Sequence, residues 1–319
     1  MSIQPLEGAN ELSNNRPAAL VQTSARILAV AIGYTIISRL IGLLTGPHPS
    51  LSLAYLQALI IDLITGAVYA LVLLPLARRL PYRMGMRTVA LFLPLYWIAV
   101  LGNLVEAFFY TTMSRLALIA AIIILGIPCL VASWLIAWLL PAHNQKQPAP
   151  GIGQILRSRP LLSWLWRIVV VGILYSLFIQ IFGSLLALGK YYTNSAYTSQ
   201  LHTTTQPTSI TLLEEAIRGV IFALVLLPLL AVMRGRSWSK LLALALYVML
   251  IDAAFESWLA MLAQTSWTIA FRLGEGANLT LDAIVRGIIV ALFLALPALT
   301  DKLEHADVRQ ELSEGQRLQ

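Results

Sequence analysis

Eight apolar runs, separated by short polar connections, decide what this chain can become. They cover about 26–44, 53–76, 88–110, 116–140, 162–188, 212–233, 241–263 and 281–299. A helix needs about 20 residues to cross a hydrocarbon core of roughly 30 Å, and in lipid only helices and closed barrels satisfy their own backbone groups. Such runs predict an all-α fold, a polytopic transmembrane helical bundle of about eight spans. A soluble core is excluded by composition: 58% of the 319 residues are hydrophobic and 12% charged, and the mean hydropathy is +0.78, far from the balance of a soluble domain.

The net charge of +7 follows topology and does not mark a nucleic-acid partner. Arg78, Arg79, Arg83 and Arg87 lie between the second and third runs, Lys146, Arg157 and Arg159 between the fourth and fifth, and Arg234, Arg236 and Lys240 between the sixth and seventh. The alternate connections are nearly free of basic residues, with Arg115 in one and Lys190 in another. The positive-inside rule then puts the basic connections and both termini in the cytoplasm, with the plasma membrane as location. Residues 1–23 lack the apolar core of a signal peptide and read as a cytosolic N-terminal tail. Residues 301–319 read as a cytosolic C-terminal tail. The polar loop 189–210 is either a lid or a flexible connection. Ser266–Leu273, too short to cross and rich in aromatics, reads as an interfacial or re-entrant segment.

The runs also repeat. The heptapeptide ALVLLPL occurs at Ala70–Leu76 and again at Ala223–Leu229, each time four residues after a glycine, Gly66 or Gly219. Arg26 and Tyr34 in the first run correspond to Arg167 and Tyr175 in the fifth, and the third and seventh runs both end in acids and aromatics. Prolines, glycines and flanking charges recur in register, which chance similarity of leucine-rich segments does not explain. A repeat of four spans crosses an even number of times, so its copies are parallel and related by an axis along the membrane normal. The expected organisation is a first four-helix repeat over 24–141, a cytoplasmic linker over 142–160 and a second repeat over 161–300.

Charges inside such runs are expensive and mark a site by default. Counting about 1.5 Å per residue from the nearest cytoplasmic basic residue places Arg39, Asp62, Arg218 and Asp252 roughly 18–24 Å deep. Asn103, Glu256 and Arg286 come out at similar height, with Glu106, Glu214, Glu215 and Asp282 nearer the outer interface. These residues form one expected polar layer in the outer half of the bilayer. Glu214 with Arg218, and Asp282 with Arg286, are four apart with the acid on the N-terminal side, the favourable order for a helical ion pair. Asp252 and Glu256 are four apart and like-charged, so they need a cation, a proton or an arginine from elsewhere. Arg39, whose counterpart is Gln180, is a candidate partner for them. The single cysteine, Cys129, and four histidines confined to loops and tails supply no familiar zinc pattern, and no cofactor is expected.

Glu214-Glu215-Ala-Ile-Arg218-Gly219 resembles the EExxxR-Gly signature of the CAAX-processing and bacteriocin-processing intramembrane proteases. The likeness covers under ten residues; Leu213 stands where the signature has its first glutamate, and no span holds a histidine. What the resemblance implies is a distant or catalytically inactive fold relationship. Three functional readings are open. One is a permease-like or ligand-binding protein whose charged site takes a small ion, a polar solute or a lipid headgroup. The second is an accessory subunit whose charges lock helices or meet a membrane-protein partner. The third is an atypical or degenerate intramembrane enzyme.

Overall fold

A computed structural model describes residues 16–45, 52–80, 83–140, 157, 159–185, 208–232, 237–252, 258 and 268–295. Among them the chain is helical throughout, with no strand. The helices are α1 (Arg16–Thr45), α2 (Leu53–Arg79), α3 (Met84–Tyr96), a π-helical turn (Trp97–Leu101), α4 (Gly102–Tyr110), α5 (Arg115–Leu139), α6 (Leu161–Leu185), α7 (Thr208–Val232), α8 (Ser237–Asp252) and α9 (Ile269–Ala295). With α3, the π-turn and α4 taken as one rod, each overlaps one of the eight apolar runs, with α9 beginning at Ile269, ahead of the run expected from 281. Six stretches are long and apolar enough to cross a membrane: Ala19–Thr45, Tyr55–Arg78, Met84–Phe109, Arg115–Leu139, Leu161–Phe178 and Arg272–Leu294. The chain is therefore built to sit in a bilayer. Helix α7 carries Glu214, Glu215 and Arg218 in its first half, and α8 is described over 16 residues only.

Two expectations are corrected. The first helix starts at Arg16, inside the stretch expected to be a tail; Pro17 in its first turn has no N–H to orphan, and Ala18, Ala19 and Leu20 are strong helix formers. Ser266–Leu273 is not a separate interfacial segment, because Ile269–Leu273 is the start of α9, with Arg272 N–H bonding to Thr268 O at 3.0 Å. Gly274 and Gly276 weaken that helix without breaking it. The linker over 142–156, most of the loop over 189–210 and the C-terminal tail lie outside the described residues.

Each helix divides its apolar residues between core and lipid. On α1, Leu28, Ile32, Ile36 and Leu40 form an outward stripe at spacing four, while Val30, Ala31 and Tyr34 are buried. On α6 the outward stripe is Val169, Ile173, Leu177 and Ile181, with Val171 and Tyr175 buried. On α2 and α7 the outward residues are Ile60, Ile64 and Leu71 against Leu213, Ile217 and Leu224. Apolar side chains facing outward at helical spacing are at home in lipid.

The helices pack in recurring pairs: α1 on α2, α3 on α5, α1 on α5 and α2 on α5 early in the chain; α6 on α7, α8 on α9, α6 on α9 and α7 on α9 later. Across the middle, α3 meets α7 and α2 meets α8. The tightest approaches are at glycines. A methyl at Gly66 would stand 2.8 Å from Ala31 Cα and 2.9 Å from Tyr34 Cβ, and one at Gly219 would stand 2.7 Å from Tyr175 Cβ and 2.9 Å from Gly172 Cα. Beside these contacts, Tyr34 meets Tyr69 edge-on at 5.5 Å and Tyr175 meets Phe222 edge-on at 6.4 Å.

Basic side chains close the helix ends. Arg87 donates to Ala77 O at 3.0 Å and to Leu140 O at 2.6 Å, at the ends of α2 and α5. Arg167 donates to Phe293 O at 2.5 Å near the end of α9, and Arg78 reaches Thr23 from the end of α2 to the start of α1 at 3.1 Å. A cation at a helix C-terminus satisfies orphan carbonyls and complements the helix dipole.

Candidate functional site

The site grows from α7. Glu214 and Glu215 precede Arg218 by four and three residues, so all three share a face. Arg218 is 5% exposed, and its guanidinium meets Glu215 at 2.9 Å, Glu106 of α4 at 3.3 Å and Glu214 at 3.6 Å. Only the first is a hydrogen bond of ordinary length. Gly219, next along, is what lets α6 approach closely enough to bring Tyr175 alongside.

Helix α9 supplies the second cation. Arg286, 8% exposed, pairs with Asp282 one turn back and donates to the Tyr175 hydroxyl at 3.1 Å. Arg218, Arg286 and Tyr175, with Trp97, Ile98, Gly102 and Phe222, line a cavity of about 10 Å³, room for about one water molecule. The charges are graded in depth: the side chain of Glu214 is fully buried, that of Glu215 is 6% exposed, and that of Glu106 is 40% exposed. Glu106 is thus the exposed edge of a cluster whose other end is buried.

The aim of Glu106 depends on the π-turn. Gly102 N–H bonds to Trp97 O, a ring one residue wider than the α-helical one. Such an extra residue rotates everything after it by about 100° relative to an unbroken helix. Pro94, three residues earlier, has already removed one backbone donor, which relaxes the local ladder. Gly102 lies beside the guanidinium, where a methyl would stand 3.9 Å from Arg218 Nη2, an ordinary van der Waals contact.

The structure therefore gathers Glu106, Glu214, Glu215, Arg218, Asp282 and Arg286 into one cluster. Arg39 and Asp62 stand apart as their own ion pair between α1 and α2, with side chains 27% and 17% exposed. Arg39, the candidate partner for Asp252 and Glu256, is thus already met among the described residues by the carboxylate of the adjoining helix, and its guanidinium also meets Ala58 O at 3.4 Å. Asn103 is half-buried on α4. Asp252 is the last residue of α8, its side chain not described, and Glu256 lies outside the described residues. Sequence reasoning missed Tyr175 as a site residue, together with Trp97, Gly102 and Phe222. Tyr175 did carry a signal, since a tyrosine in the middle of an apolar run needs a partner for its hydroxyl.

Comparison with protein-family models, with curated proteins and with solved structures finds no match. The protease-like hexapeptide is thus not accompanied by a match over the chain, and the chemistry of this cluster has to be read from its own atoms.

Proposed function

We propose that the chain is a permease-like or ligand-binding protein of the plasma membrane, binding a small ion or polar solute at the Arg218–Arg286–Tyr175 cavity in the outer half of the bilayer. The observation that carries this reading is that two buried guanidiniums, from different helices, line one cavity, and that one of them is met by the partly exposed Glu106 of a third helix. A register lock needs no shared cavity and no graded exposure. The cavity holds about one water, so a larger ligand requires α4 to move, and the π-turn and Gly102 that form one wall are the natural place for it to yield.

On this reading α7 and α8 complete eight crossings as two parallel four-helix repeats. The recurring helix pairs support the repeat, and so do the matched outward stripes, the Gly66–Tyr34 and Gly219–Tyr175 contacts and the reciprocal α3–α7 and α2–α8 contacts, as a two-fold relation would require. The arginines on helix ends and the basic connections support placing that end, and both termini, in the cytoplasm. A second reading, an accessory subunit, is favoured by one fact: Arg218 and Arg286 are each already met by acids of the same chain.

The two part on flux. Purified protein reconstituted in vesicles, challenged in turn with sodium, potassium, acetate, phosphate, glycine and choline, is expected to give a transport current with at least one. Arg286→Lys, which keeps the charge and loses the forked donor geometry, should weaken that response at least tenfold. No current with any of these, together with a loss of stability in Arg286→Lys, would favour the accessory reading.

A further inference from the structure

Matching the acids of the cluster to its cations leaves one over. Asp282 is paired with Arg286, Glu215 is hydrogen-bonded to Arg218, and Glu106, 40% exposed, meets the same guanidinium at 3.3 Å. Glu214 remains. Its side chain is fully buried, and neither of its carboxylate oxygens has a hydrogen-bond donor. The nearest cation, Arg218 Nε, is 3.6 Å away, beyond hydrogen-bond range. An ionised carboxylate left like this in a dry site is strongly unfavourable.

Its neighbour gives the second observation. Glu215 is the next residue on the same helix and meets the same guanidinium, and Glu215 Oε2 is itself buried without a partner. Two buried acids thus share one guanidinium that hydrogen-bonds only one of them, and the other escapes the cost of a dry, unpaired charge by carrying a hydrogen. Glu215 is the one bound to Arg218 and keeps its charge. We infer that Glu214 is a proton-binding site, holding one exchangeable proton on its carboxyl.

A metal cation suits this place poorly: it needs several oxygen ligands, the adjacent group is a guanidinium, and no set of three or more acids or other ligands among the described residues is arranged to hold a metal. The charged groups gathered with Glu214 on one guanidinium are Glu215 on its own helix and Glu106 from α4. On release the proton leaves a carboxylate behind and passes towards Glu106, the exposed end of the contacts around Arg218. If the permease reading holds, this proton is the coupling ion; the inference rests on that reading only for that role, not for the protonated state.

Infrared titration of the full-length protein in lipid tests it. Near neutral pH, wild type should show the C=O stretch of a protonated carboxyl, shifting in D2O. Glu214→Gln should lose that band and Glu106→Gln should keep it. Glu214→Asp, which retains an acid, should move the band and covers the case in which the glutamine variant does not fold. No such band in wild type, a full band in Glu214→Gln, or an unmoved band in Glu214→Asp would overturn the assignment. Because the band is read without ligand or flux, failure of the transport assay leaves it standing.

Discussion

Arg218→Gln is expected to destabilise the protein by about 3–5 kcal/mol, the range for removing one partner of a buried ion pair. The size follows from what stays behind. Arg218 is the only cation within 4 Å of Glu215 and Glu106 among the described residues, so its loss leaves Glu215 buried and unpaired beside two other acids. A surface ion pair would be worth under about 1 kcal/mol. The Arg39–Asp62 pair, both of whose side chains are partly exposed, should fall between these limits when Arg39 is replaced by Gln. Reversible unfolding in mixed detergent measures both variants. The mechanism makes a sharper demand as well: Arg218→Gln combined with Glu215→Gln should recover a large part of the loss, because the stranded charge is gone. No recovery in the double variant would mean that Arg218 acts through packing of its stem.

The second large effect is expected at the helix contacts. Gly219→Leu should destabilise by about 3 kcal/mol or more, the upper end of what overpacking produces. The obstacle is close to backbone: even a methyl would meet Tyr175 Cβ at 2.7 Å and Gly172 Cα at 2.9 Å, so no side-chain rotation relieves it and α6 must move away. That movement also shifts Tyr175 away from Arg286. Gly66→Leu meets the same obstacle from Ala31 and Tyr34 and should behave alike. Gly42→Leu, with nothing within 4 Å of the added carbon, should be neutral or gain up to about 1 kcal/mol in helix propensity. Equal effects at Gly42 and Gly219 would show that backbone propensity, not close approach, governs these positions.

The helices were largely legible because the apolar runs have the length a bilayer demands, and the glycine positions were legible because a helix contact that close leaves no room for a side chain. Depth could also be counted: one rise per residue put Glu106, Glu214, Glu215 and Arg218 in one layer, and the three acids meet that guanidinium. Azimuth could not. Counting along α1 gives the height of Arg39 and not the direction it faces, so its pairing with Asp62 across to α2 was invisible. The π-turn was hidden for a related reason, since WIAVL is equally apolar in either helix type, and its extra residue is what turns Glu106 towards Arg218. Tyr175 was noticed as the match of Tyr34 and missed as the partner of Arg286, because the sequence match points to Tyr34 and says nothing of what α9 presents.

The claim on which the rest stands is that the charge cluster opens to the face of the membrane opposite the basic connections. In a Cys129→Ala background, cysteines placed at Arg83 and at Glu106 sit near the two ends of the α3–π-turn–α4 rod, roughly 35 Å apart by helical rise. With a membrane-impermeant thiol reagent on oriented vesicles, Glu106→Cys should be modified from one face and Arg83→Cys only from the other. Modification of both from the same face, or of Glu106→Cys from neither, would contradict a site that reaches water on the outer side.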